Sequence, residues 1–287
     1  MKLSAVLIVK NEEEIIANAL ESVKDFDEII VVDTGSTDDT VAIAKRYTDN
    51  VYHFAWCDDF AKARNFAIEQ ATGDWIFSID ADHELITPVS QVKKEAERAE
   101  QQGVKTVLVK SLSGKGDHHV HWREVLFKND PEVRWHGAVH ENIKPVATLK
   151  VDVIRRCGYS KNHSVDPYRN IRILEANPIT TRSKFYLGRE NYEKRLYPAA
   201  IKWMKEYLQE GKWYPEIAEA WLVIARSHWF SHEGELAREA CLRAIKINPD
   251  FKEALLFMGD MHFEPWKSKW HTLASVATNK DVLFIRT

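Results

Sequence analysis

The chain has 287 residues, 45% of them apolar and 29% charged, with a formal net charge of −3. That is the balance of an ordinary globular protein with room for one or two domains. A net charge of −3 gives no reason to expect strong whole-molecule attraction to nucleic acid or anionic lipid. The charge is uneven: from Pro167 onward 19 Lys/Arg stand against 15 Asp/Glu, which leaves a balance of +4 there and −7 before it. Cys57, Cys157 and Cys241 are far apart, so neither a disulfide framework nor a zinc ribbon is signalled. The longest apolar runs fall far short of the ~20 residues a membrane helix needs. The first of them, "AVLIV", runs straight into "KNEEE" with no small-residue cleavage site and reads as a strand. The expected location is the cytoplasm, with no membrane span.

"LSAVLIV" opens the chain as a strand. "NEEEIIANALESVKDF" follows with Ile15, Ile16, Ala19, Leu20 and Val23 on one helical face. "DEIIVVD" is a second buried strand, and "STDDTVAIAKRY" begins as a capped helix. "NVYHFA" is a short strand, "DFAKARNFAIEQAT" a helix stopped at Gly73, and "DWIFSID" the next strand. This alternation predicts an α/β domain over residues 1–166, with a mostly parallel sheet and helices on both faces. In such sheets ligands bind beyond the carboxyl ends of the strands. Asn11, Asp33 and Asp80 stand at or just past those ends.

From Pro167 the strands stop and residues 167–287 read as an all-α domain. Trp221, Ala225 and His228 recur 34 residues later as Leu255, Gly259 and His262, the tetratricopeptide period. "FYLGRENYEKRLYPAAIKWMKEYL" is a looser copy, offset by three residues inserted around Lys212–Tyr214. This makes two full repeats and a partial one, whose faces could also join copies of the chain. The residues after Trp266 carry no assignment.

"WIFSIDADHEL" ends a buried strand on two acids one residue apart. A strand points residues i and i+2 to one face, so Asp80 and Asp82 are expected side by side, where their charges repel unless water or a divalent cation lies between them. Two such carboxylates suit Mg²⁺ or Mn²⁺ with a diphosphate on the remaining positions, although an acidic turn after a strand matches the same pattern. "VVDTGSTDDT" reads equally as a turn with a helix cap or as a strand-end aspartate facing a nucleoside. There is no P-loop and no dinucleotide-binding glycine pattern. "RWHGAVHENI" places His140 beside Glu141, without the spacing of a zinc protease, and "GDHHVHW" reads as an exposed histidine loop.

In order, "VKNEEEIIANALESV", "DEIIVVDTGSTDDT", "ARNFAIEQATGDWIFSIDADHEL" and "HGAVHE" resemble a family 2 glycosyltransferase with the GT-A fold. The similarity covers about the first 145 residues. It is greatest to lipopolysaccharide-core β-glucosyltransferases and bacteriocin S-glycosyltransferases, some of which carry tetratricopeptide-like helices. The resemblance implies an inverting, metal-dependent transfer of a hexose, glucose first among the candidates, from a UDP-sugar. By position it implies that Asn11, Glu12 and Asp33 hold the uridine, and that Arg64 approaches the nucleotide or diphosphate. Asp80 would face ribose or metal, Asp82 and His140 would bind Mn²⁺ or Mg²⁺, and Glu141 would be the base, with Asp117 and Glu124 as competitors. The chain departs from the family in two places. His83 stands where relatives read the acid of D-A-D-E, and "RRCGY" replaces H-x-G-Y, with His163 as a substitute ligand.

Two other classes use the same features: a nucleotide-sugar-binding scaffold with a degenerate site, and a nucleotidyltransferase. The acid pair and Glu141 speak against the scaffold. The acceptor is a glycan or lipid-linked glycan, a protein, or a nucleic acid. Residues 182–214 interleave Lys and Arg with aromatics, as nucleic-acid binders do. Helical repeats also bury aromatics and expose charge, and this plainer reading outweighs the nucleic-acid one.

Overall fold

The structure, a computed structural model, describes residues 1–114, 119–147, 149–158 and 166–278. It divides into two compact units, Met1–Pro167 and Tyr168–Thr287. The first unit begins with β1 (Leu3–Val9), α1 (Ile16–Ser22), β2 (Glu28–Asp33), α2 (Thr40–Ala44), β3 (Val51–His53), α3 (Phe60–Gln70) and β4 (Trp75–Ser78). There follow β5 (His83–Leu85), α4 (Val89–Gln101), β6 (Thr106–Ser113), β7 (His119–Lys128), β8 (Arg134–His136), β9 (Asn142–Lys144) and β10 (Leu149–Cys157). Eight strands form one sheet in the order β3-β2-β1-β4-β7-β6-β10-β5, while β8 and β9 pair as a separate hairpin.

The expected strand–helix alternation is present through β4, and its strands are all parallel: β3 to β2, β2 to β1, and β1 to β4. Beyond β4 the sheet is mixed. β7 runs antiparallel to both β4 and β6, β10 is parallel to β6, and β5 is antiparallel to β10. Sequence alternation gave no sign of this second half. After the single helical connection α4 between β5 and β6, the chain returns by hairpin and irregular register, and so leaves no repeating strand–helix pattern to read.

Side-chain alternation divides the core. Leu3, Ala5, Leu7 and Val9 of β1 pack with Ile16, Ala19 and Leu20 of α1 and Val92, Ala96 and Ala99 of α4 on one face. Val6, Ile30, Val32 and Ile76 face the other way, against Ala61, Ala67 and Ile68 of α3, Trp135 and Ile143 of the hairpin, and Val133 just before it. Helix α3 starts where Asp59 accepts a hydrogen bond from the Lys62 N–H at 3.0 Å, satisfying an otherwise open donor. The histidine run does not form a loop throughout. His119 and His121 lie in β7, paired with Ser113 and Ser111, because the β6 edge offers a partner. His118 and Asp117 lie outside the described residues.

The second unit contains α5 (Arg169–Ala176), α6 (Thr181–Glu193), α7 (Tyr197–Leu208), α8 (Tyr214–Phe230), α9 (Gly234–Ile247), α10 (Lys252–Asp260) and α11 (Trp266–Val276). The residues after Trp266 thus supply a helix. Gly188, Ala225 and Gly259 occupy corresponding places in α6, α8 and α10, the first spacing longer by the three inserted residues. A Cβ on Gly188 would stand 2.8 Å from Met204 Sδ on α7, and one on Gly259 would stand 3.2 Å from Trp270 Cβ on α11. Ala225 is fully buried. The two glycines let α6 and α10 approach α7 and α11 closely. No described helix is long and apolar enough to cross a membrane.

Gly73 plays a comparable part beside the strand that leads to the acid pair. A Cβ there would lie 2.8 Å from the Ser4 backbone nitrogen, so the β1–β4 contact would have to open. Gly73→Ala is expected to destabilise the chain by about 1–3 kcal/mol, as overpacking does. A lowered urea midpoint with an unchanged slope would show it, and a wild-type midpoint would refute the close-approach account.

Candidate active site

The ends of β1 and β2 interlock. Asn11 takes a left-handed backbone conformation (φ 54°), which asparagine tolerates better than most residues. This turns its Oδ1 to accept from the Thr37 N–H at 2.8 Å, while its own N–H donates to Ser36 Oγ at 2.9 Å. The Glu12 N–H donates to Thr40 Oγ1 at 2.7 Å. Asp33, the buried last residue of β2, accepts from the Gly35 N–H at 3.1 Å and the Ser36 N–H at 3.0 Å. An ionised carboxylate has about four acceptor positions, so Asp33 keeps capacity for a ligand donor. His53 Nδ1 lies 3.6 Å from it, brought there by the β2–β3 pairing of Asp33 with His53.

Asp80 and Asp82 do not lie in a strand. β4 ends at Ser78, and the acids occupy a turn closed by the His83 N–H donating to the Asp80 carbonyl at 3.0 Å. They are therefore gathered by a turn rather than by strand alternation. The chain re-enters the sheet at His83, where β5 pairs with β10 and the Gly158 N–H donates to the Asp82 carbonyl at 2.6 Å.

Arg64 ties this turn to the β8–β9 hairpin. Its Nη2 donates to Asp80 Oδ1 at 2.8 Å and its Nε to Glu141 Oε1 at 2.7 Å, with the guanidinium 5.2 Å from the centre of the Trp135 ring. The side chain is only 13% exposed. The neighbouring Asn65 holds the hairpin by two bonds of 2.9 Å, donating to the Trp135 carbonyl and accepting from its N–H. The Phe60 N–H donates to the Ala138 carbonyl at 2.9 Å. Gly137 (φ 96°) and His140 (φ 53°) form the connection that delivers Glu141. Burial alone would push the Asp80 carboxyl up, but the Arg64 guanidinium, with Arg155 behind it, holds it well below the usual carboxylate range. Burial likewise works against the Arg64 charge, which Asp80 and Glu141 more than restore.

The residues expected from the sequence therefore meet in two groups: Asn11, Glu12 and Asp33 on the β1–β2 rim, and Arg64, Asp80 and Glu141 in one ion-paired cluster. The Asp80, Asp82 and His83 ligand atoms lie within 4.8 Å of one another, a group that does not include His140. Glu124 lies in β7, half-buried. Asp117 and His163 lie outside the described residues. Sequence reasoning missed His53 and Trp135, whose only signals were a strand-end position and an aromatic before "HG". It noted His83 and "RRCGY" only as departures.

The glycosyl transferase family 2 model matches residues 4–158, more than half of the chain. The chain belongs to glycosyl transferase family 2. A TPR repeat-containing protein of Synechococcus elongatus is 30% identical over 75% of this chain and 59% of its own length. The SPbeta prophage-derived glycosyltransferase SunS of Bacillus subtilis is 33% identical over 72% of this chain and 53% of its own. The chain thus spans little more than half the length of these curated relatives. S. aureus TarS 1–349, solved with UDP-GlcNAc, superposes with a TM-score of 0.53 at 15% identity, covering 84% of this chain and 90% of that one. The likeness is one of fold, an eight-stranded α/β sheet of GT-A type followed by helices.

As a member of this family, the chain can be tested for a divalent ion by its donor chemistry. Asp80 and Asp82 offer hard carboxylate oxygens, 35% and 15% exposed as side chains, which fits Mg²⁺ or Mn²⁺.

Arg64→Met leaves two carboxylates without their shared cation. The expected loss of stability at pH 7 is below the ~3–5 kcal/mol typical of a fully buried pair, because Asp80 stays one-third open to water. The folded Asp80 pKa lies below its ordinary 3.8. Its stabilisation is therefore complete above that value and is lost as the pH falls from there through the folded value. The melting-temperature gap between wild type and Arg64→Met should be widest near neutral pH and narrow below about pH 4. A gap independent of pH would contradict the pairing.

Proposed function

We propose that this protein is an inverting, metal-dependent hexosyltransferase that uses a UDP-sugar, with glucose the first candidate for the transferred hexose. The observation that carries the reading is the Arg64 bridge, which joins the acid turn after β4 to Glu141 on the same unit that bears the Asn11–Asp33 rim. Family membership and the TarS complex with UDP-GlcNAc support the donor class. In this reading Met1–Pro167 is the donor-binding, catalytic domain and the helical unit a tetratricopeptide-like array. The site works in the cytoplasm.

Asp33 accepts from the uracil ring, with Asn11 and Glu12 shaping the pocket around it. Asp80 and Asp82 would hold Mn²⁺ or Mg²⁺, with His140 as a further ligand once the diphosphate is in place. A divalent ion there supplies charge neutralisation for the departing diphosphate. Glu141 takes the proton from the acceptor nucleophile as the new bond forms at the anomeric carbon and the bond to UDP breaks on the opposite side. Arg64, already beside Asp80, adds positive charge on the diphosphate side.

A second reading of Glu141 has an observation behind it: Glu141 Oε1 already accepts from Arg64 Nε, which suits a brace as well as a base. The glutamine variant separates the roles. Glu141→Gln is expected to bind UDP nearly normally, with turnover reduced ~10²–10⁴-fold. Normal turnover, with Glu124→Gln or Asp117→Asn inactive instead, would move the base elsewhere.

Asp82→Asn is expected to fold and to lose metal-stimulated hydrolysis of UDP-glucose, because an amide is a poorer ligand for a hard cation. Asp33→Ala should weaken UDP binding in calorimetry. Wild-type Mn²⁺ stimulation in the first variant, or unchanged UDP affinity in the second, removes the corresponding role. The same hydrolysis assay excludes a degenerate scaffold, and pyrophosphate release from an NTP would indicate a nucleotidyltransferase. Oligosaccharide, peptide and DNA acceptors offered with labelled UDP-sugar identify the acceptor class.

A further inference from the structure

His83 stands between the two acids. Its Nδ1 lies 3.5 Å from Asp80 Oδ2 and its Nε2 3.5 Å from Asp82 Oδ1. By position and distance it looks like a third ligand for a cation held by the pair. The contact behind it says otherwise. Arg155 of β10 places Nη1 2.9 Å from His83 Nδ1, and its Nε donates to Ser111 Oγ of β6 at 2.9 Å. Arg155 is only 4% exposed, so neither contact is an accident of a loose surface side chain.

A guanidinium has donors and no acceptor. At 2.9 Å, His83 Nδ1 must present its lone pair, and the ring proton must sit on Nε2, the nitrogen that faces Asp82. Ligation through Nδ1 would require displacing a buried guanidinium and leaving that cation against the metal. Ligation through Nε2 would require moving the proton to Nδ1, where it would meet an Arg155 N–H donor head-on. The backbone holds the same segment in place: β5 pairs with β10 through His83 and Cys157, and the Gly158 N–H binds the Asp82 carbonyl. A Cβ on Gly158 would run into that carbonyl, so this approach is a close one.

We propose that Arg155 is a positioning residue for the acidic turn: by donating to Nδ1 it fixes His83 with its proton on Nε2, directs that N–H toward Asp82, and removes the imidazole from the set of metal ligands. The cation site is then built of carboxylates, and the histidine in the D-A-D-H sequence braces them. This explains how His83 can stand where an acid would have added a negative charge. The inference rests on the assignment of Asp80 and Asp82 to the cation, and the test separates the two.

The first measurement is the ¹⁵N spectrum of histidine-labelled full-length protein, with His83→Gln to assign the resonance. Without any cation, His83 should show an unprotonated Nδ1 and a protonated Nε2. Addition of UDP and Mg²⁺ should leave both nitrogens outside the range of a metal ligand. A proton on Nδ1, or a metal-ligand shift on either nitrogen, overturns the proposal. The cation-free spectrum judges the Arg155 contact even if the protein proves to bind no cation, an outcome that would defeat the functional reading alone.

The second measurement is the Mn²⁺ affinity of the UDP-bound protein, read from free Mn²⁺ by electron paramagnetic resonance. Arg155→Met should raise the dissociation constant about 10–100-fold, the usual effect of removing an outer partner of a metal site. Metal-free UDP affinity should stay at wild type, and Arg155→Lys, which retains a donor, should recover part of the loss. A folded Arg155→Met protein with wild-type Mn²⁺ affinity overturns the positioning role. If that variant does not fold, Ser111→Ala, which frees only the far anchor of Arg155, takes its place with the same expected direction and the same refuting result.

Discussion

The Arg64 guanidinium lies between Asp80 and Glu141 with little access to water, and the geometry of the first unit's site hangs on that arrangement. Removing a cation from water is costly, and nearby carboxylates offset the cost only when distances are short and donors are directed. Both conditions hold here, at 2.8 and 2.7 Å from two different nitrogens of one planar group. Lysine, a point charge, could not reproduce that fork. The bridge makes two segments separated by about sixty residues of chain into one surface, and α3 is held to the same hairpin by Asn65 and by the Phe60 N–H.

The β1–β2 rim is organised by a different means. Its bonds run between backbone N–H groups and short polar side chains: Asn11 with Ser36 and Thr37, Glu12 with Thr40, and Asp33 with its own following turn. Such local bonds hold the two loops together before any ligand arrives, so less ordering remains for binding to impose. Asp33 is already ordered by two N–H donors, so its orientation does not depend on a nucleotide.

Beyond β4 the sheet changes direction, and this reversal brings β10 and β5 beside the acid turn. A continued parallel sheet would have placed a helical crossover there instead. The antiparallel β5–β10 pairing lets Arg155 and Gly158 reach His83 and Asp82. In the helical unit a simpler rule operates. Gly188, Ala225 and Gly259 keep one position small in the alternate helices α6, α8 and α10, and the two glycines admit the helix that follows at close range.

The amino-acid sequence alone determined the strand–helix order through β4, the 34-residue helical period and the family. Each of these is written in local periodicity or in contiguous motifs. It also marked Asn11, Asp33 and Asp80, because polar residues at strand ends interrupt apolar runs visibly, whereas Arg64 was marked only by the family resemblance and Glu141 by its place beside His140. Only the tertiary structure decided which of them touch. The joining of Arg64 to both Asp80 and Glu141 is a contact across 16 and 77 residues, and no local pattern encodes such a separation. The turn that holds Asp80 and Asp82 read as strand, because apolar alternation does not reveal where pairing ends. Arg155 looked like one more basic residue near a chain departure. Its meaning comes from burial and from the direction of its donors, and both depend on the strands that surround it.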